Sequence, residues 1–286
     1  MKSVYSIGVM TGTSCDGADL ALLKFTNLHS IWTEKLVGND SVPFPSELRR
    51  RLRIAQMGRL NVVDAAVLSR DYSLWLSTAI NLFAMSNHCQ KSKTLIAVHG
   101  QTIWHDPTRS ISIQLLEPAT IAFETHMSVV CAFRQPDLAR GGQGAPLVPL
   151  YHWLRARQPE FKALRPFAIH NVGGIGNLTY ITKNSAELTA FDTGPGNALI
   201  DLAVEKYSNG KKHFDKNGAI AKANIDSIDW KQLERLAAEE YFKRIPPKST
   251  GRELFNESYL KKIPGRGAML VANTTAFTAL TMAQAY

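Results

Sequence analysis

Apolar and polar positions alternate in short blocks broken by glycine-rich turns. Residues 4–10 are apolar or β-branched at intervals and predict a buried strand. Residues 18–25 predict a second strand, so the two form a hairpin whose tip is Thr13-Ser14. Helical spacing follows at 46–57, with Pro45 and Ser46 as start signals, and again over 62–86. Short strands are predicted at 94–98, 111–115 and 129–133, with a helix at 118–125. Beyond a glycine-rich stretch, 147–156 reads as helix and 167–171, 178–181 and 188–191 as strands. Residues 197–207 read as helix. From Asp215 onward the pattern is mainly helical, with a basic loop at 246–252 and a long helix at 272–286.

Strands and helices mixed in this order predict an α/β class. A strand, a glycine-rich turn and a strand open the chain, and the same sequence of elements recurs near Phe167. That echo predicts two domains, 1–134 and 135–286, with the boundary near 134–140.

Composition changes this picture little. The chain has 286 residues, 45% hydrophobic and 20% charged, enough for two globular cores. Its net charge of +9 raises the question of nucleic acid. The charge is scattered, and no basic stripe is interleaved with aromatics. The densest run, Arg49-Arg50-Arg51, lies in a helical pattern beside Leu48 and Leu52 and reads as a solvated face. No apolar run approaches the roughly 20 residues of a membrane helix. The N-terminus reads as a strand, not a signal peptide. Cys15, Cys89 and Cys131 are odd in number without metal-type spacing, which predicts a reducing, cytoplasmic setting.

Candidate chemistry gathers at two turns. The first is Gly12-Thr13-Ser14-Cys15-Asp16-Gly17-Ala18-Asp19. Backbone N–H groups at a glycine turn converge on anions, Thr13 and Ser14 add donors, and Asp16 or Asp19 suits Mg2+ through water. An ordinary hairpin with Asp-Gly at its tip is the structural alternative. The second is Phe191-Asp192-Thr193-Gly194-Pro195-Gly196-Asn197. A carboxylate at a strand end suits deprotonation of a hydroxyl or water. Here the alternative makes Asp192 a helix N-cap and Pro195 a first-turn residue. The expectation is that the two turns face each other across a cleft and hold a phosphate chain.

Further candidates follow the strand at 94–98. His99, Gln101 and Thr102 suit hydrogen bonds to a polar ligand such as a sugar, although a buried structural role is the common fate of a single histidine. Arg134, Asp137 and the loop containing Gln143, Gly144, Ala145 and Pro146 suit an anionic or hydroxyl-rich substrate. Arg252 reads as a nucleotide-side contact or a surface charge. No metal ligand set is identified.

These stretches together resemble the anhydro-N-acetylmuramic acid kinases. The match runs through the first turn, His99-Gly100-Gln101-Thr102-Ile103-Trp104-His105, Gly141 to Leu147, Asn171 to Thr179, the second turn, and Pro246 to Glu253, in the family's order. The resemblance implies the fold of sugar kinases, heat-shock chaperones and actin, with two RNase H-like domains. It implies conversion of 1,6-anhydro-N-acetylmuramic acid, ATP and water to N-acetylmuramic acid 6-phosphate and ADP in murein recycling. Residues 12–19 match the ATP-phosphate loop and Asp192 the general base. The implied partners are a small-molecule sugar, ATP with Mg2+ and a second copy in a homodimer, with no nucleic acid and no membrane.

Departures are local. Ala132 stands where the family usually has Asp, His126 and Ala223 where it usually has Gly, and Arg140 where it has a small residue. The family pattern continues past the position of Tyr286 with an adenosine-binding motif and a further acidic motif. The expectation is therefore an incomplete second domain with weakened ATP binding. The alternative reading is an inactive remnant that binds sugar or a partner without turnover.

Overall fold

The computed structural model describes residues 2–12, 15–28, 31–184, 188–251 and 254–286. The chain is mixed α/β and divides into two compact units, Met1–Gly144 and Ala145–Tyr286.

In chain order the first unit holds β1 (Lys2–Met10), β2 (Gly17–Leu28), β3 (Ile31–Pro43), α1 (Ser46–Gln56) and α2 (Val62–Ser86). It continues with β4 (Thr94–Val98), β5 (Gln101–Asp106), β6 (Ile111–Leu115), α3 (Pro118–Thr125), β7 (Ser128–Val130) and α4 (Gln135–Leu138). One sheet has the order β3-β2-β1-β4-β7, and β5 pairs with β6 separately. β1, β2 and β3 are antiparallel, whereas β1, β4 and β7 are parallel. The parallel register pairs Val9 with Val98, so the segments after both strands leave the sheet at the same end. Open α/β sheets bind ligands at that carboxyl end.

The long helix α2 starts where Asn61 accepts the Asp64 N–H at 2.8 Å, a side-chain cap. Leu68, Tyr72, Leu76 and Phe83 then recur on one face and pack with Ile7, Leu20 and Ile96 of the sheet. Helix α1 buries Leu48, Leu52 and Ala55. Its arginines pair outward, Arg50 with Glu47 and Arg51 with Asp71.

Two strands were not legible in the pattern. β3 is an edge strand, and its polar Glu34, Lys35, Asn39 and Asp40 dilute any alternation. β5 reads as loop because it pairs only with short β6. The strand expected at 129–133 stops at Val130 because Ala132 turns to φ 62°. His126, closing α3, likewise has φ 56°. Both residues occupy the left-handed region, where a Cβ is strained.

The second unit opens with α5 (Val148–Ala156) and α6 (Pro159–Lys162). An antiparallel sheet of β8 (Phe167–Val172), β9 (Ile175–Ile181) and β10 (Leu188–Pro195) follows, in the order β10-β9-β8. The helices α7 (Ala198–Tyr207), α8 (Ala219–Lys222), α9 (Trp230–Leu236), α10 (Glu240–Lys243), α11 (Glu257–Leu260) and α12 (Ala268–Ala283) complete it. Leu199, Val204, Leu233, Phe255, Tyr259 and Phe277 form its core. No helix among the described residues is long and apolar enough to cross a membrane.

Candidate active site

Within the first unit, the turn after β1 is tied to the segment after β4 by reciprocal bonds. The Thr11 hydroxyl donates to the Gly100 carbonyl at 3.2 Å, and Gln101 Nε2 donates to the Gly12 carbonyl at 3.0 Å. Gly100 has φ 80°, and a Cβ there would meet the Leu115 carbonyl at 2.9 Å, so the crossing needs glycine. Thr11 Oγ1 also lies 3.2 Å from the Tyr72 hydroxyl. A threonine has one proton, and Thr11 gives it to Gly100, so Tyr72 is the donor of that pair. Burial drives the Tyr72 pKa well above its ordinary value, which keeps the phenol protonated.

The turn itself is half core. Cys15 and Ala18 are fully buried, so their side chains belong to the core. The Cys15 N–H closes onto the Gly12 carbonyl at 3.2 Å. Gly17 passes so close to β3 that a Cβ would meet the Val42 carbonyl at 2.4 Å. Asp16 and Asp19 are exposed, and Asp19 Oδ1 accepts the Ser41 hydroxyl at 2.5 Å. Thr13 and Ser14 lie outside the described residues, as does Arg252.

His99 and Gln101 are buried at 9% and 0% exposure. His99 Nδ1 lies 3.0 Å from the Gly100 carbonyl. Burial, and then the Arg134 charge, hold the imidazole below its ordinary pKa; the same two causes act on His105. Thr102 Oγ1 accepts from Gln114 at 3.4 Å.

Arg134 and Asp137 brace a loop from both sides. Arg134 donates to the Gly144 carbonyl at 2.7 Å, and Asp137 accepts the Gly144 N–H at 2.7 Å. Both charges are expected to meet substrate; in the structure each contacts the Gly144 backbone. Gly144 has φ 65° and leaves no room for a Cβ against Leu138. Gln143 is exposed, and Ala145 and Pro146, half-buried, open the second unit.

Within the second unit, Asp192 is buried at 7% exposure. It lies inside β10, not beyond it, at a register shift between Asp192 and Gly194. A bulge at that point re-aims a side chain. The N-cap alternative fails: Asn197 occupies that position without a side-chain cap bond, and Pro195 ends the strand.

Three contacts fix Asp192. Its N–H donates to the Lys248 carbonyl at 2.9 Å, its carbonyl accepts the Tyr241 hydroxyl at 2.6 Å, and its Oδ2 accepts the Thr250 N–H at 2.9 Å. Lys248 in turn donates to the Phe242 carbonyl at 3.1 Å and lies over the Tyr241 ring. Burial, then the Arg244 charge, hold this amine below its ordinary pKa. The following residue, Thr193, has its hydroxyl 3.0 Å from His170 Nε2. Two glycine turns interlock beside it, with Gly196 N–H on the Gly174 carbonyl and Asn197 N–H on the Gly173 carbonyl.

Sequence reasoning missed Tyr72, Tyr241 and His170. A tyrosine far from its partner in sequence carries no local signal. Lys248 was visible only as part of a basic loop. Among the described residues, no group of three or more His, Cys, Asp or Glu side chains is placed to hold a metal.

A family model described as anhydro-N-acetylmuramic acid kinase matches residues 4–284. A Shewanella oneidensis protein named anhydro-N-acetylmuramic acid kinase is 38% identical over 266 residues, covering 92% of this chain and 69% of that protein. A protein of the same name from Francisella tularensis subsp. novicida is 38% identical over 298 residues, covering 99% of this chain and 76% of its own.

Proposed function

The chain belongs to the anhydro-N-acetylmuramic acid kinase family, and we propose from this membership how its own residues carry the reaction. It is a kinase of murein recycling. The substrate is 1,6-anhydro-N-acetylmuramic acid, and the products are N-acetylmuramic acid 6-phosphate and ADP.

In this reading Asp192 takes a proton from a water as that water's oxygen bonds to C1 of the sugar. The C1–O6 bond breaks and its electron pair stays on O6. O6 then bonds the γ-phosphorus, and the bond to the β-phosphate oxygen breaks to leave ADP. The observation that carries the role of Asp192 is its buried carboxylate held by the Thr250 N–H, on a backbone tied to Lys248 and Tyr241. A base held this way loses little freedom on reaching the attacking water. Residues 12–19 take the phosphates, with the Cys15 and Ala18 side chains facing the core. His99, Gln101, Thr102 and the 143–146 loop take the sugar.

Exposed Asp16 fits Mg2+ that arrives on nucleotide phosphates and keeps most of its waters. When bound, the ion neutralises phosphate charge. Three antiparallel strands followed by two parallel ones support the RNase H-like reading of the first unit. Cys15, Cys89 and Cys131 form no disulfide among the described residues, which suits a reducing cytoplasm. The homodimer rests on the family resemblance alone.

The test is a coupled ADP-release assay with the anhydro-sugar and Mg-ATP. We expect turnover that falls about 10²- to 10⁴-fold in Asp192→Asn, the usual contribution of a positioned base. Equal turnover in both proteins would remove Asp192 from the mechanism.

A further inference from the structure

Two buried side-chain atoms of the first unit, His99 Nε2 and Gln101 Oε1, have no hydrogen-bond partner among the described residues. Their neighbours fix what each atom offers. The Gly12 carbonyl only accepts, so the Gln101 atom 3.0 Å from it is the amide nitrogen, and the other end is the carbonyl oxygen. The Gly100 carbonyl also only accepts, so His99 Nδ1 carries the proton it donates there. The second ring nitrogen of a neutral imidazole is then a bare acceptor. Arg134 and His105 are the charged and titratable groups near enough to act on this ring, and both disfavour its protonated form. Both orphan atoms are thus acceptors, and leaving a buried acceptor unpaired is costly.

Resting on the kinase reading above, we propose that His99 Nε2 and Gln101 Oε1 form a subsite that selects uncharged hydrogen-bond donors of the sugar, a hydroxyl or the acetamido N–H. A carboxylate carries only acceptors at neutral pH, so this subsite rejects it. The sugar's carboxylate must bind elsewhere. Selection by buried complementary polar groups is the strong form of discrimination, because an analogue lacking the donor strands the acceptor.

Two measurements on the full chain test this. The first is the ¹⁵N spectrum of histidine-labelled protein at pH 7. We expect His99 with Nδ1 protonated and Nε2 bare; a protonated Nε2 overturns the proposal. The second is calorimetric titration with the anhydro-sugar and with analogues in which one hydroxyl at a time is replaced by fluorine, or the amide is N-methylated. We expect at least one analogue to bind wild type about ten- to a hundredfold more weakly than the parent sugar. That penalty should vanish in His99→Phe or in Gln101→Met, whichever removes the acceptor that the missing donor met. Equal penalties in all three proteins for every analogue overturn the subsite. Failure of the kinase reading looks different: the parent sugar gives no binding heat with wild type, and the sugar then falls as the occupant.

Discussion

The backbone N–H of Thr250 donates to Asp192 Oδ2 at 2.9 Å across 58 residues of chain. The strand carrying Asp192 thus does not set its carboxylate alone. The segment from Lys248 to Thr250 does so too, and Lys248 pins that segment by donating to the Phe242 and Tyr241 carbonyls. Replacing Lys248 with Met keeps the apolar stem and removes the ammonium. We expect kcat to fall about ten- to a hundredfold with sugar affinity nearly unchanged, because a small misplacement of a catalytic group is expensive in rate. Steady-state kinetics beside calorimetry separate the two effects.

The donor chain from Tyr72 through Thr11 to the Gly100 carbonyl fixes the base of the first turn. Tyr72→Phe removes one buried hydroxyl and keeps the ring. The expected cost is about 0.5–1.5 kcal/mol of stability, the net worth of one such bond. Urea unfolding of wild type and variant reads it.

Gly196 and Gly173 lie in interlocked turns yet differ in tolerance. A Cβ on Gly196 would meet the Gly173 carbonyl at 2.2 Å, whereas a Cβ on Gly173 finds nothing nearer than 3.8 Å. Gly196→Ala should destabilise by about 1–3 kcal/mol through backbone displacement. Gly173→Ala should stay within about 0.5 kcal/mol. Thermal unfolding of both variants checks the contrast.

His126 closes α3 at φ 56° and is exposed. A left-handed residue with a Cβ is strained by about 1–2 kcal/mol, a strain that Gly relieves. Part of that gain is offset by the greater freedom of an unfolded Gly. His126→Gly should therefore raise stability by about 1 kcal/mol, read as a higher unfolding midpoint in urea.

Periodic segments were legible in the sequence and composite ones were not. The long helix over Val62–Ser86 announced itself because Leu68, Tyr72, Leu76 and Phe83 recur at helical spacing. β4 showed as a short apolar run. β3 did not, since an edge strand exposes polar residues on its open side. The two turns were legible because glycine, hydroxyl and carboxylate cluster locally in each. Their supports were not: Tyr72 is 61 residues from Thr11 and Tyr241 is 49 from Asp192, and no local pattern encodes such pairs. The same limit hid the extension of β10 through Asp192, because a bulged strand and a helix cap share the residues Asp, Gly and Pro.

The most direct measurement is the mass and stoichiometry of the product formed by the full chain from Mg-ATP and 1,6-anhydro-N-acetylmuramic acid. We predict a sugar heavier by one water and one phosphoryl group, formed one for one with ADP, and formed about 10²- to 10⁴-fold more slowly in Asp192→Asn. ADP release without that mass gain, or a phosphorylated sugar still in its anhydro form, would contradict the account.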